Sequence, residues 1–178
     1  MQLSITAALF ACVLALPAAA PPPDRAPALG IASFEALPKP LPLPKPLPLP
    51  YDEKADAEAA VKAAKARALK AHKLLLIDLG GNWCLDCRLL AGTIELPKLK
   101  PWVARHYEVV TVDIGRFDRN LAIPVRYGVG SRPEGVPALL IVDPKTDKLL
   151  NGGRVSALAD ARSLTPQALA DWLAQWTR

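Results

Sequence analysis

The 178-residue chain is 51% hydrophobic and carries a formal net charge of +5 at pH 7. Part of the apolar content sits in the first twenty residues and in a proline tract, and the remainder is still long enough to bury one core. Basic residues are scattered and interleaved with acids, as in Lys54-Ala55-Asp56, which argues against a nucleic-acid-binding stripe.

Leu3 to Ala20 is an uncharged, mostly apolar stretch closing on Pro17-Ala18-Ala19-Ala20. Residues 1–20 read as a secretory signal peptide with a small-residue cleavage site. No Lys or Arg precedes the apolar run, and Pro21 follows the best Ala-x-Ala site, where it hinders a peptidase. The run is barely long enough to span a bilayer, so an uncleaved N-terminal anchor and membrane tether is the alternative. Residues 21–50 form a low-complexity linker. From Leu37 to Pro50, proline alternates with Leu or Lys, which forbids helix and sheet ladders and favours polyproline II. Such a segment acts as a semi-rigid spacer.

Residues 51–178 read as one domain. Asp52 to His72, rich in Ala, Lys and Glu without Gly or Pro, predicts a helix. Lys73 to Leu79 is an apolar run bounded by Gly80-Gly81, a buried strand. A helix is expected from Cys84 through Leu90 and a second helical piece over Leu99 to His106. Glu108 to Ile114 alternates as a strand, Asn120 to Tyr127 is a short helix, and Ala138 to Val142 is a strand. A turn at 143–147 leads to a return strand over Lys148 to Leu150. Thr165 caps a final helix, with Pro166 at its first position, that runs to Trp176. The order αβαβαββα predicts a three-layer α/β domain whose mixed sheet ends in a hairpin.

The chemistry concentrates in Trp83-Cys84-Leu85-Asp86-Cys87, which follows the first strand. Two cysteines at this spacing close and reopen a small disulfide. A strand feeding a helix that begins at the first of them lowers that thiol's pKa. Of the three cysteines, Cys12 lies in the apolar leader; if that is removed, Cys84 and Cys87 are the remaining thiols, which suits an oxidising compartment. A zinc site would need four ligands, and His72 and His106 lack ligand-like spacing, so no metal is expected. No phosphate-cradling Gly-rich loop or nucleotide motif is present, so no cofactor is expected and reducing power has to come from another protein.

This order of elements resembles the thioredoxin fold. The features that carry the likeness are Trp83-Cys84-x-x-Cys87 at the strand-to-helix turn, Asp78 six residues before Cys84, and Gly135-Val136-Pro137 before the third strand. The segments Val112-Asp113-Ile114-Gly115, Phe117-Asp118-Arg119-Asn120 and Tyr127-Gly128-Val129 are similar to those of exported bacterial thioredoxin-like proteins. They are also similar to the periplasmic domain of membrane thiol-reductant transporters. The resemblance implies a central mixed β-sheet flanked by helices, preceded here by the signal or anchor segment and the proline-rich linker. It implies Cys84 as nucleophile, Cys87 as resolving thiol, and Asp78 as a buried acid of raised pKa that takes the proton of Cys87. It implies a cis Pro137, with the Val136 backbone pairing with an extended substrate segment. Trp83 and Leu85 flank the pair on the substrate side.

Where thioredoxins commonly have Gly-Pro between the cysteines, this chain has Leu85-Asp86. Asp86 disfavours a Cys84 thiolate and makes the disulfide harder to reduce, while Arg88 pulls the other way. Thr111 stands where a basic residue often neighbours the buried acid. The segment Gly130-Ser131-Arg132-Pro133-Glu134 lengthens the loop before Pro137 and offers Arg132 and Glu134 to a partner. The expected function is thiol–disulfide exchange on protein disulfides, as reductant or electron relay, supplied by an upstream redox protein and exported to the periplasm. The alternatives are a redox-silent adaptor, with the pair as a static bridge, and an oxidant of exported proteins.

Overall fold

The structure, a computed structural model, describes residues 23–30, 43 and 46–177. The expected signal or anchor over residues 1–20, and Cys12 within it, lie outside the described residues. Among the described residues no helix is long and apolar enough to cross a membrane.

The first helix, α1 (Ala57–Ala71), starts five residues later than Asp52 because Asp56 caps it, its carboxylate accepting the Ala59 N–H at 3.0 Å. Its buried residues Ala57, Val61, Ala64 and Ala68 follow the three-to-four spacing of one helical face. Strand β1 (Leu74–Gly80) is buried along nearly its whole length, since it is a central strand covered on both sides. Helix α2 (Leu85–Ile94) follows, then α3 (Lys100–His106), β2 (Tyr107–Asp113), the short α4 (Ala122–Arg126), β3 (Ala138–Asp143) and β4 (Lys148–Leu149). A 3₁₀ turn, Ala161–Ser163, had no signature in the sequence; it precedes α5 (Pro166–Ala174), which Thr165 caps as expected.

The sheet order is β2-β1-β3-β4, with β1 parallel to β2 and antiparallel to β3. It is the mixed, helix-flanked sheet of the thioredoxin fold. One apolar layer gathers Leu76, Leu90, Trp102, Leu139, Ile141 and Trp172; the other gathers Val61, Leu75, Ile77, Leu79 and Leu140 with both cysteines of the pair. Alternation along β1 divides its leucines between these layers.

The hairpin strand β4 is too short to cover β3, pairing only at Val142–Leu149 and Asp143–Lys148. A buried side chain completes the edge. Asn151 Oδ1 accepts the Ile141 N–H at 2.9 Å, and its Nδ2 donates to Leu139 O at 2.7 Å. Replacing Asn151 with alanine leaves both backbone groups of this buried edge unpaired. We expect a loss of about 2 kcal/mol, read as a lower urea midpoint with an unchanged denaturant slope.

The described parts of the proline-rich stretch lie on the domain, not free of it. Leu29 and Leu43 are buried in the core. Proline carbonyls have no ladder partner of their own, so side chains of the domain donate to this stretch. Arg88 reaches Pro48 O and Leu47 O at 3.1 and 3.0 Å, Thr111 reaches Pro50 O at 2.8 Å, and Gln167 reaches Pro27 O at 3.3 Å. The strap delivers Tyr51 beneath the cysteine pair.

Candidate active site

The turn from β1 into α2 positions the cysteines. Cys84 is the N-cap of α2, with extended backbone, and its sulfur accepts the Cys87 N–H at 3.1 Å. The sulfur thus takes the place of the oxygen that usually caps a helix, and an anion there faces the helix's positive end. Cys84 and Cys87 are joined as a disulfide. Cys84 retains 5% exposure and Cys87 none, so Cys84 is the residue of the pair nearer the surface.

The Val136–Pro137 peptide is cis, and the Val136 carbonyl oxygen lies 3.5 Å from the Cys84 sulfur. Two large apolar side chains stand open around the pair: Trp83, 46% exposed, and Leu85, 44% exposed. The Trp83 indole N–H donates to Gly115 O at 2.8 Å, and the Arg116 guanidinium lies 4.8 Å over its ring. In the lengthened loop, Arg132 stacks over Phe117 at 4.8 Å, tying that loop to the one after β2; Glu134 is exposed.

Asp78 is buried in β1 opposite Thr111 of β2. Burial pushes its carboxyl up to about 7, against the smaller lowering effect of the Tyr51 hydroxyl, which donates to its Oδ1 at 2.9 Å. Tyr51 is itself buried, and burial beside Asp78 raises its own pKa. Gly80 shows how closely these groups approach: a Cβ there would collide with the Tyr51 phenol and sit 2.8 Å from the Cys87 sulfur. Tyr51 and Cys87 therefore meet over one glycine, and the Tyr51 hydroxyl links them to Asp78. Sequence reasoning did not single out Tyr51, which stands at the end of the proline tract. Thr111 hydrogen-bonds the strap and leaves Tyr51 as the partner of Asp78.

Asp86 differs most from its reading in the sequence. Its carboxylate is not a bare negative charge beside Cys84, because Arg162 engages both oxygens. Burial alone would raise its pKa, but the hydrogen bonds and charge of Arg162 hold it below the ordinary carboxylate value. Arg88, the expected counterweight, donates to the strap carbonyls. Among the described residues no group of three or more His, Cys, Asp or Glu side chains is arranged to hold a metal ion.

A family model described as thioredoxin-like matches residues 56–144. The crystal structure of a disulphide isomerase from Xylella fastidiosa Temecula1 is similar at 38% identity and a TM-score of 0.64, covering 72% of this chain and 97% of that one. The C-terminal domain of DsbD from Neisseria meningitidis, in its oxidised form, aligns at 21% identity and a TM-score of 0.39, covering 51% of this chain and 77% of that one. No curated protein matches the chain. The matched model and the Xylella structure agree with the fold, and the chain belongs to the thioredoxin-like family.

Proposed function

We propose that the chain is a thiol–disulfide oxidoreductase that donates electrons to protein disulfides through Cys84 and Cys87. The observation that carries this reading is the Cys84–Cys87 disulfide at the start of α2, with the Cys84 sulfur on a backbone N–H and beside the cis Val136–Pro137 carbonyl.

In the reduced protein the Cys84 thiolate attacks one sulfur of the substrate disulfide. The substrate S–S bond breaks, a mixed disulfide forms, and the departing substrate thiolate takes a proton. The Asp78 carboxylate accepts the proton of Cys87, directly or through the Tyr51 hydroxyl. The Cys87 thiolate then attacks Cys84, forming the Cys84–Cys87 bond and releasing the second substrate thiol. Two electrons pass from the dithiol to the substrate, and an upstream redox protein restores the dithiol. An extended substrate segment would lie along Val136, flanked by Trp83 and Leu85.

The charges around the motif favour the donating direction. A strong oxidant stabilises its reduced thiolate, usually with added positive charge. Here Arg162 is committed to Asp86, Arg88 to the strap carbonyls, and Arg116 to the face of Trp83. Of the three, the charge of Arg162 is cancelled by a carboxylate, and the group in contact with the Cys84 sulfur is the helix N-terminal N–H of Cys87. We place this activity in an exported, oxidising compartment, where the apolar segment over residues 1–20 would act as signal or tether. A second reading, isomerisation, is favoured by the similarity to the Xylella disulphide isomerase. It differs in releasing substrate from the mixed disulfide by a substrate thiol.

The test is turnover of a disulfide-linked protein with dithiothreitol as donor. The protein accelerates reduction above dithiothreitol alone; absence of acceleration leaves the pair a static bridge and overturns the reading. Recovery of a scrambled substrate without net reduction selects isomerisation.

A further inference from the structure

Asp86 is the second residue of α2, two positions beyond Cys84, and its side chain is only 8% exposed. An uncompensated carboxylate there would compete with a Cys84 thiolate for the same helix N-terminus. It is met instead by a single residue. The Arg162 backbone N–H donates to Oδ1 at 2.9 Å, its Nε to Oδ1 and Oδ2 at 3.0 and 3.2 Å, and its Nη2 to Oδ2 at 2.6 Å. This is the two-pronged arrangement in which a guanidinium binds a carboxylate most strongly, reinforced by a backbone donor. Arg162 lies in the 3₁₀ turn Ala161–Ser163, and Ala161 is fully buried in the core, so the turn is anchored rather than hanging free.

The other charged groups near the motif do not share this contact. Asp78 is bound by Tyr51, Arg88 by the strap carbonyls, and Arg116 rests on Trp83. Asp160, next to the turn, adds a negative charge that acts on Arg162.

We propose that Arg162 is a positioning residue that sets the acidity of Cys84 by holding and neutralising Asp86 within the Cys-x-x-Cys motif. The inference rests on Cys84 being the attacking thiol. Arg162 touches no reacting atom and acts through the carboxylate. With the pair intact, Cys84 meets a nearly neutral neighbour. Without Arg162 it meets an anion, and without Asp86 it meets an unpaired cation. The two single replacements therefore move the thiol in opposite directions, which a merely structural contact would not do.

The experiment is an ultraviolet thiolate titration of the reduced protein, with rapid alkylation and mass mapping to assign the first thiol to react. Arg162→Gln raises the Cys84 pKa by about one pH unit, and Asp86→Asn lowers it by a similar amount. Arg162→Lys, which keeps the charge, stays near the parent value, and the double replacement returns close to it. Equilibration with glutathione reports the same order. Where thiolate predominates in the reduced form, Arg162→Gln favours the disulfide by about tenfold, or about 30 mV. If both single replacements shift the pKa the same way, or neither shifts it, the inference fails. Should Arg162→Gln not fold, Asp86→Asn and Arg162→Lys decide it: an unmoved or raised pKa in Asp86→Asn overturns it. Alkylation of Cys87 before Cys84 in the parent protein overturns the functional assignment itself, whereas Cys84 reacting first with an unresponsive pKa overturns only the role of Arg162.

Discussion

Replacing Cys84 with serine lowers disulfide exchange by at least about a thousandfold, while Cys87→Ser still attacks once and then stops. The asymmetry comes from the geometry. Cys84 is the more accessible residue, 5% exposed against 0% for Cys87, and it is the one that caps α2. Without Cys87 no other thiol among the described residues can displace the bound substrate. The Cys87→Ser protein, mixed with a disulfide-linked substrate, therefore accumulates a covalent adduct that mass spectrometry places on Cys84 and that dithiothreitol removes. Equal activity of the two serine variants would show that the sulfurs have no separate roles.

Asp78→Asn has the second large effect, and it has two readouts. In the reaction, loss of the base slows release from the mixed disulfide by about a hundredfold near neutral pH, with little change in the first attack. In stability, the direction follows from the raised pKa. Asp78 ionises near 4 when unfolded and at about 7 when folded. Its neutral form is therefore favoured by folding. That contribution is fully present below about pH 4 and is lost as pH rises to about 7, after which the buried carboxylate costs of order 4 kcal/mol. Asparagine does not titrate and still accepts the Tyr51 hydroxyl. The variant should match the parent at pH 4 and exceed it at pH 8, as read from urea unfolding of the oxidised proteins. Equal stability of the two at pH 8 would mean that Asp78 is not held in a costly ionised state.

Much of the architecture was legible because its signals are local. The run Leu74–Leu79 between a capped helix and Gly80-Gly81 has the length and apolarity of a strand covered on both faces, and β1 is that strand. Pro166 after Thr165 marks the start of α5. Cys84 at a strand-to-helix turn, and Val136–Pro137 as a cis bond, followed from motif and resemblance, and the structure has both.

The missing parts are long-range. Arg162 is 76 residues from Asp86, and Tyr51 is 27 from Asp78. Neither separation follows a helical or strand period, so nothing local announces the contact. The proline stretch reads as a spacer because its residues make no ladder. Among its described residues, carbonyls at Pro27, Leu47, Pro48 and Pro50 are met by Gln167, Arg88 and Thr111, side chains with no reason of their own to be noticed. Asp86 was visible as a charge, but its partner decides what that charge does.

The measurement that bears most directly on the account is the reduction potential of Cys84–Cys87, taken by equilibrating the protein against glutathione or thioredoxin-range redox buffers. With Arg162 matched to Asp86, the pair should lie below about −180 mV, on the reducing side of the isomerases. A value near about −120 mV, the range of a dedicated oxidant, would contradict the electron-donating role.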